Sequence, residues 1–210
     1  MTATAQREPL VAVLDEVTHT YTVRGAPVPG VTSILDGVLK EFAHIDRETL
    51  RRAQERGTAV HKACELYVLG TLDYATLDPA LVPYLEAFIR FLGETGFVPQ
   101  HCETVIYSER YGYAGKLDLL GKADRQQFRW LVDIKTPETL PKSVGPQSAA
   151  YEQAAHETGL VDLARERIER KALQLFNDGT YTLQALNDKS DLNIFLAALT
   201  IQRFQQRRFK

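Results

Sequence analysis

The chain has 210 residues, 44% of them hydrophobic and 25% charged, with a formal net charge of −2. That balance suits a globular domain and excludes a protein that coats nucleic acid by bulk charge, while leaving room for a local basic groove. No stretch is long and apolar enough to span a bilayer. The two cysteines, Cys64 and Cys102, are too few for a four-thiolate zinc or iron–sulfur centre, so buried, reduced thiols are expected.

The first ten residues lack the apolar centre of a secretory leader, which points to a cytosolic location. Residues 10–29 alternate like a β-hairpin with its turn at Arg24-Gly25-Ala26-Pro27. Pro29-Gly30 breaks that run, and residues 31–39 read as a short helix. A longer helix is expected from Asp46, as N-cap, to Gly70, with Gly57 as a candidate break. Residues 78–96 place Leu81, Leu85, Phe88 and Leu92 on one stripe, the mark of an amphipathic helix closed by glycine. From about Gln100 the period changes to two, giving strands at 102–109, 114–122 and 127–136, with a turn at 123–127. Residues 145–159 return to helix. Residues 169–176 and 180–186 pair as strands about Asn177-Asp178-Gly179. A final helix from Asp191 carries Leu192, Phe195, Leu196, Leu199 and Phe204.

With no repeat and no low-complexity linker, the chain reads as one domain: a hairpin and short helix in 1–45, a core in 46–186 and a closing helix in 187–210. The element order defines an α/β or α+β class with a mixed sheet. The basic end, Arg203 to Lys210, fits either a DNA groove or a solvated helix terminus.

The stretch Trp130-Leu-Val-Asp-Ile-Lys-Thr136 begins as a buried strand and then presents Asp133 and Lys135 on one face, with Trp130, Val132 and Ile134 on the other. The preceding strand offers Asp118, close enough across a short turn to approach Asp133. Two carboxylates held together repel, and a hard cation resolves the conflict. A neighbouring lysine then stabilises charge developing on a phosphate or an activated water. A surface ion pair is the plainer reading of a lone Asp-x-Lys. Three more pairs accompany it, however. His61 and Glu65 lie one turn apart on a helix, Gln147 and Tyr151 lie one turn apart on another, and Gly115 stands three residues before Asp118.

Together and in order, Gly57-Thr58-x-x-His61, Gly115-x-x-Asp118, Asp133-x-Lys135 and Gln147-x-x-x-Tyr151 resemble the RecB-like branch of the PD-(D/E)XK nuclease superfamily. The resemblance spans roughly residues 56–155. Residues 21–35 also look like the start of phage and prophage exonucleases of this group and of the mitochondrial genome maintenance exonuclease.

The resemblance implies a restriction-endonuclease-like mixed central sheet flanked by helices, and a DNA exonuclease using Mg2+ or Mn2+. In that scheme Asp118, Asp133 and the backbone carbonyl of Ile134 ligate the metal. His61 is a further ligand or a close neighbour of it, and Glu65 serves a second position. Lys135 polarises the water, while Gln147 and Tyr151 hold the DNA strand. Glu103, on the preceding strand, is either an active-site acid or a structural partner of a cation. Arg167, Arg170 and Lys171 are DNA contacts or solvated charges. A phage single-strand annealing protein is the partner by analogy, and no membrane is involved. A structure-specific endonuclease or nickase, a non-catalytic DNA-end binding module and a domain with merely structural carboxylates are the alternatives.

Overall fold

The computed structural model describes residues 10–123, 128–162 and 166–207. The expected turn at 123–127 therefore falls, apart from Ala123, outside the described residues, as do residues 208–210 of the basic end. The N-terminal part is a three-stranded meander rather than one hairpin: β1 (Ala12–Asp15), β2 (Thr20–Val23) and β3 (Ala26–Val28), in that order. The expected four-residue turn fails because Arg24 and Gly25 suffice. Their φ values of 51° and 77° form the left-handed two-residue link that suits strand twist. Ala26 and Pro27 then pair with Val23 and Thr22, and proline is tolerated because β3 is an edge strand. The earlier turn is folded by Asp15, whose Oδ1 accepts from the amides of Val17 and Thr18 at 2.9 and 3.1 Å.

Helix α1 (Val31–Leu39) follows where expected. Helix α2 (Arg47–Val68) begins at Asp46, whose side chain accepts from the Thr49 amide at 3.0 Å. It runs unbroken through Gly57, which corrects the expected break; one interior glycine costs only about 1 kcal/mol relative to alanine. A 3-10 turn (Pro79–Leu81) opens α3 (Val82–Thr95), which stops at Gly96 with φ 62°. Its buried face carries Tyr84, Leu85, Ala87, Phe88 and Phe91, so Leu81 and Leu92 sit at the margin of the expected stripe.

The main sheet has β4 (Val98–Ser108), β5 (Tyr113–Lys122), β6 (Arg129–Lys135), β7 (Ile168–Leu175) and β8 (Tyr181–Ala185), adjacent in sequence order. All pairs are antiparallel except β6–β7, which is parallel and bridged by α4 (Val144–Glu157). Helix α5 (Asp191–Gln206) completes a mixed α/β fold with helices on both faces of the sheet. Helices α1, α4 and α5 cover one face over Tyr113, Leu117, Leu120 and Leu131. Helices α2 and α3 cover the other over Leu119, Trp130, Val132 and Ile134. Phe204 is 59% exposed, so the expected apolar stripe of α5 ends before it. Arg170 is neither a DNA contact nor a solvated charge. It is buried and donates to the Gly145 carbonyl, to Ser148 Oγ, to Asp191 Oδ2 and to the Asp188 carbonyl. Among the described residues no helix is long and apolar enough to cross a membrane.

The sheet departs from regularity in two places near its centre. The β5–β6 pairing ends at Leu119↔Val132, whereas β6 continues along β7 to Lys135↔Gln174. Strands β5 and β6 thus part at Asp118 and Asp133. Secondly, Leu117 and Leu119 are two residues apart yet pack on opposite faces, so the alternation of β5 slips at Asp118. Facing it in the register of β4, Glu103 has φ 47°, a left-handed conformation rare for a side-chain-bearing residue in a strand.

Candidate active site

The notch between β5 and β6 leaves the Ile134 amide without a strand partner, and Asp118 supplies one: the amide donates to Oδ2 at 2.6 Å. From α2, His61 closes the notch. Its Nε2 donates to the Ile134 carbonyl at 3.0 Å, and its Nδ1 lies 3.4 Å from Glu103 Oε1 and 3.7 Å from Asp118 Oδ1. One ligand atom from each of His61, Glu103 and Asp118 falls within 4.8 Å of the others. Behind Glu103, Lys116 Nζ sits 2.7 Å from Oε2.

The slipped alternation brings these groups to the α2 side, while Asp133 and Lys135 share the other face of β6 with Leu131. Asp133 is 1% exposed, and neither carboxylate oxygen receives a hydrogen bond. Lys135 Nζ approaches Oδ2 to 2.6 Å, an ion-pair contact outside hydrogen-bond angles. Burial pushes the Asp118 carboxyl up to about 7, with His61 opposing the shift and Asp133 adding to it. Burial alone would lower the pKa of His61, but the Asp118 charge and the Glu103 contact outweigh it and raise it to about 9. Burial likewise works against the charge of Lys135, and Asp133 and Asp118 reverse the balance, so it is held above its ordinary value.

This donor set fits a hard divalent cation. It offers carboxylate oxygens, a backbone carbonyl and one imidazole. Asp133, a buried carboxylate with the Lys135 ammonium 2.6 Å from Oδ2, is a further group that such an ion would satisfy.

Of the residues singled out from sequence, His61, Asp118 and Ile134 meet directly, and Asp133 and Lys135 form the adjoining pair. Glu103, left open between two roles, stands inside the cluster. Glu65 stands one turn along α2 and takes Lys62 Nζ at 2.7 Å, outside the three-residue cluster. Gln147 Nε2 donates to Tyr151 Oη at 3.0 Å. Tyr151 itself is 4% exposed, packed among α1, β5 and α4, so its ring is not open for stacking on a base. A Cβ on Gly115 would lie 2.6 Å from Tyr151 Cε1, so the glycine of one motif makes room for the tyrosine of another. Burial holds the Tyr151 phenol well above its ordinary pKa, with Asp133 and Asp118 adding to the shift. Lys116 was missed by sequence reasoning. The only signal was opposite charge on neighbouring strands, which is too common to single it out.

No family model matches the sequence, and no curated protein matches it. Solved structures do show a likeness. A protein from Eubacterium rectale named as an exonuclease has a TM-score of 0.48 at 11% identity over 71% of this chain. That match spans 65% of the Eubacterium chain, just under two thirds of its length. LHK-Exo in complex with dAMP has a TM-score of 0.41 at 16% identity, over 85% of this chain and 87% of its own. The alkaline exonuclease LHK-Exo from Laribacter hongkongensis has a TM-score of 0.29 at 17% identity, over 73% and 96% respectively.

Proposed function

We propose that this chain is a metal-dependent deoxyribonuclease of the RecB-like PD-(D/E)XK type, an exonuclease that hydrolyses phosphodiester bonds at DNA ends in phage recombination or DNA processing. The observation that supports it best is the parted β5–β6 pair, which buries Asp133 against Lys135 Nζ at 2.6 Å and places Asp118 against Ile134. Asp118, Asp133, the Ile134 carbonyl, His61 and Glu103 are the groups that would hold Mg2+ or Mn2+, with Glu65 in reserve one turn along α2. A bound divalent ion supplies charge neutralisation at the scissile phosphate and a more acidic water.

The chain's own groups do the rest. Lys135 orients the attacking water and stabilises negative charge as the new oxygen–phosphorus bond forms and the bond to the leaving sugar oxygen breaks. Gln147, half-buried and held by Tyr151, engages a phosphate or base edge of the strand. DNA is the substrate in this reading, a phage single-strand annealing protein the natural partner, and the host cytoplasm the location.

The test is digestion of end-labelled linear DNA beside closed circular single-stranded and duplex DNA, with magnesium and then with a chelator. Loss of linear DNA alone, abolished by chelation, is the expected result. Cut circles would make the protein an endonuclease or nickase. Retention of ends without cleavage would make it a binding module.

A further inference from the structure

We propose that Lys116 is a positioning residue for the cation site, holding one oxygen of Glu103 so that the other is presented with His61 and Asp118. This rests on the metal-binding part of the proposed function. Glu103 leaves the backbone at a left-handed residue, where the alternation of the paired strands slips. A regular strand would set the direction of its side chain; here two contacts do. Lys116 Nζ holds Oε2 at 2.7 Å, and His61 Nδ1 stands 3.4 Å from Oε1. The shorter contact comes from the residue that has no place in the cluster itself.

The pair is not chiefly a stabilising one. The Lys116 side chain is 32% exposed, so solvent weakens the attraction at its end of the pair. Two effects of Lys116 on a bound cation oppose each other. Its charge repels the ion, but its grip fixes a carboxylate that would ligate the ion. Loss of a partner that orients a ligating carboxylate typically costs about 10–100-fold in metal affinity. The repulsion is weakened because Glu103 lies between the two cations and Lys116 faces water. Positioning therefore wins, and removal of Lys116 weakens the site.

The experiment is calorimetric titration of calcium and manganese into the metal-free full chain, without DNA, for Glu103→Gln, Lys116→Met, Lys116→Arg and the double variant Glu103→Gln with Lys116→Met. Lys116→Gln replaces the methionine variant if that one does not fold. Glu103→Gln is expected to weaken binding about 10–100-fold and Lys116→Met about 10-fold, with Lys116→Arg restoring most of the loss. The double variant binds no more weakly than Glu103→Gln alone, because Lys116 acts only through Glu103. Unchanged or tighter binding by Lys116→Met, or losses that add in the double variant, overturns the proposal. The same pattern in a chain that cleaves no DNA leaves the proposal standing and removes the nuclease reading. DNA cleavage without the pattern does the reverse, and absence of any cation binding by the unaltered chain overturns both.

Discussion

At the residue scale, Asp118 divides its carboxylate between two tasks: Oδ2 takes the Ile134 amide, while Oδ1 faces His61. Asp118→Asn keeps the first task and weakens the second, and Asp133→Asn removes the charge that pairs with Lys135. Each variant is expected to abolish cleavage while melting cooperatively, which single-turnover assays and circular dichroism would establish. Lys135→Ala should slow the chemical step about 10²–10³-fold, the usual worth of one donor to a developing charge. Its cation affinity should be kept or increased, since Asp133 then loses the ammonium 2.6 Å from its Oδ2. Tyr151→Phe removes the oxygen that receives the Gln147 amide, at a cost near 1 kcal/mol of stability. Because Gln147 then loses its anchor, Tyr151→Phe and Gln147→Ala should both weaken DNA affinity in a filter-binding assay while calorimetric cation affinity stays unchanged. If neither alters DNA affinity, α4 is scaffold only.

At the scale of elements, the site depends on contacts that link one motif to another. Gly115→Ala would push a methyl group against the Tyr151 ring, and overpacking of this kind costs about 1–3 kcal/mol, read as a lower denaturation midpoint. Helix α2, which delivers His61, depends on its first turn. The Thr49 amide, chiefly, holds the Asp46 carboxyl below its ordinary 3.8. Folding lowers this pKa, so the ionised cap stabilises the helix above 3.8 and that contribution fades as pH falls through the lower folded value. Asp46→Ala should therefore melt at a lower temperature than the unaltered chain near neutral pH, with the gap narrowing in acid. A gap that stays constant down to about pH 2.5 would deny the cap its role. The helices and the later strands were legible because period and punctuation agree, as at Asp46 and at Asn177-Asp178-Gly179. The first turn of the meander was not, because Asp15 folds it through its side chain. Arg170 was misread because a cation on a strand gives no sign in sequence of the carbonyls and carboxylates that α4 and α5 bring to it. The slip at Glu103 and Asp118 was hidden as well, since nothing in a string of residues marks where a strand changes face.

For the molecule as a whole, the site joins the two layers of the fold. His61 comes from the α2–α3 layer, Gln147 and Tyr151 from the α1–α4–α5 layer, and the carboxylates from the sheet between them. An ion bound there ties α2 to the sheet and should stabilise the entire domain. At a free calcium concentration 100 times the dissociation constant, the gain is about 2.7 kcal/mol, visible as a rise in melting temperature. Chelation should remove that rise along with nuclease activity. Magnesium or manganese should restore both, and calcium the stability alone, because its looser geometry misplaces the water. Full activity in excess chelator would show that the carboxylates serve only the fold.

The Ile134 amide carries a further consequence. Its hydrogen is shared with a carboxylate at 2.6 Å instead of with a neighbouring strand. Such a short, charge-assisted bond deshields the proton, so its nuclear magnetic resonance signal belongs far downfield of ordinary strand amides. The same residue's carbonyl accepts from His61 Nε2 in the same notch. One backbone unit thus feels both a carboxylate and an imidazole of the site, and a single resonance of the native chain would report occupancy of the notch without label, substrate or turnover.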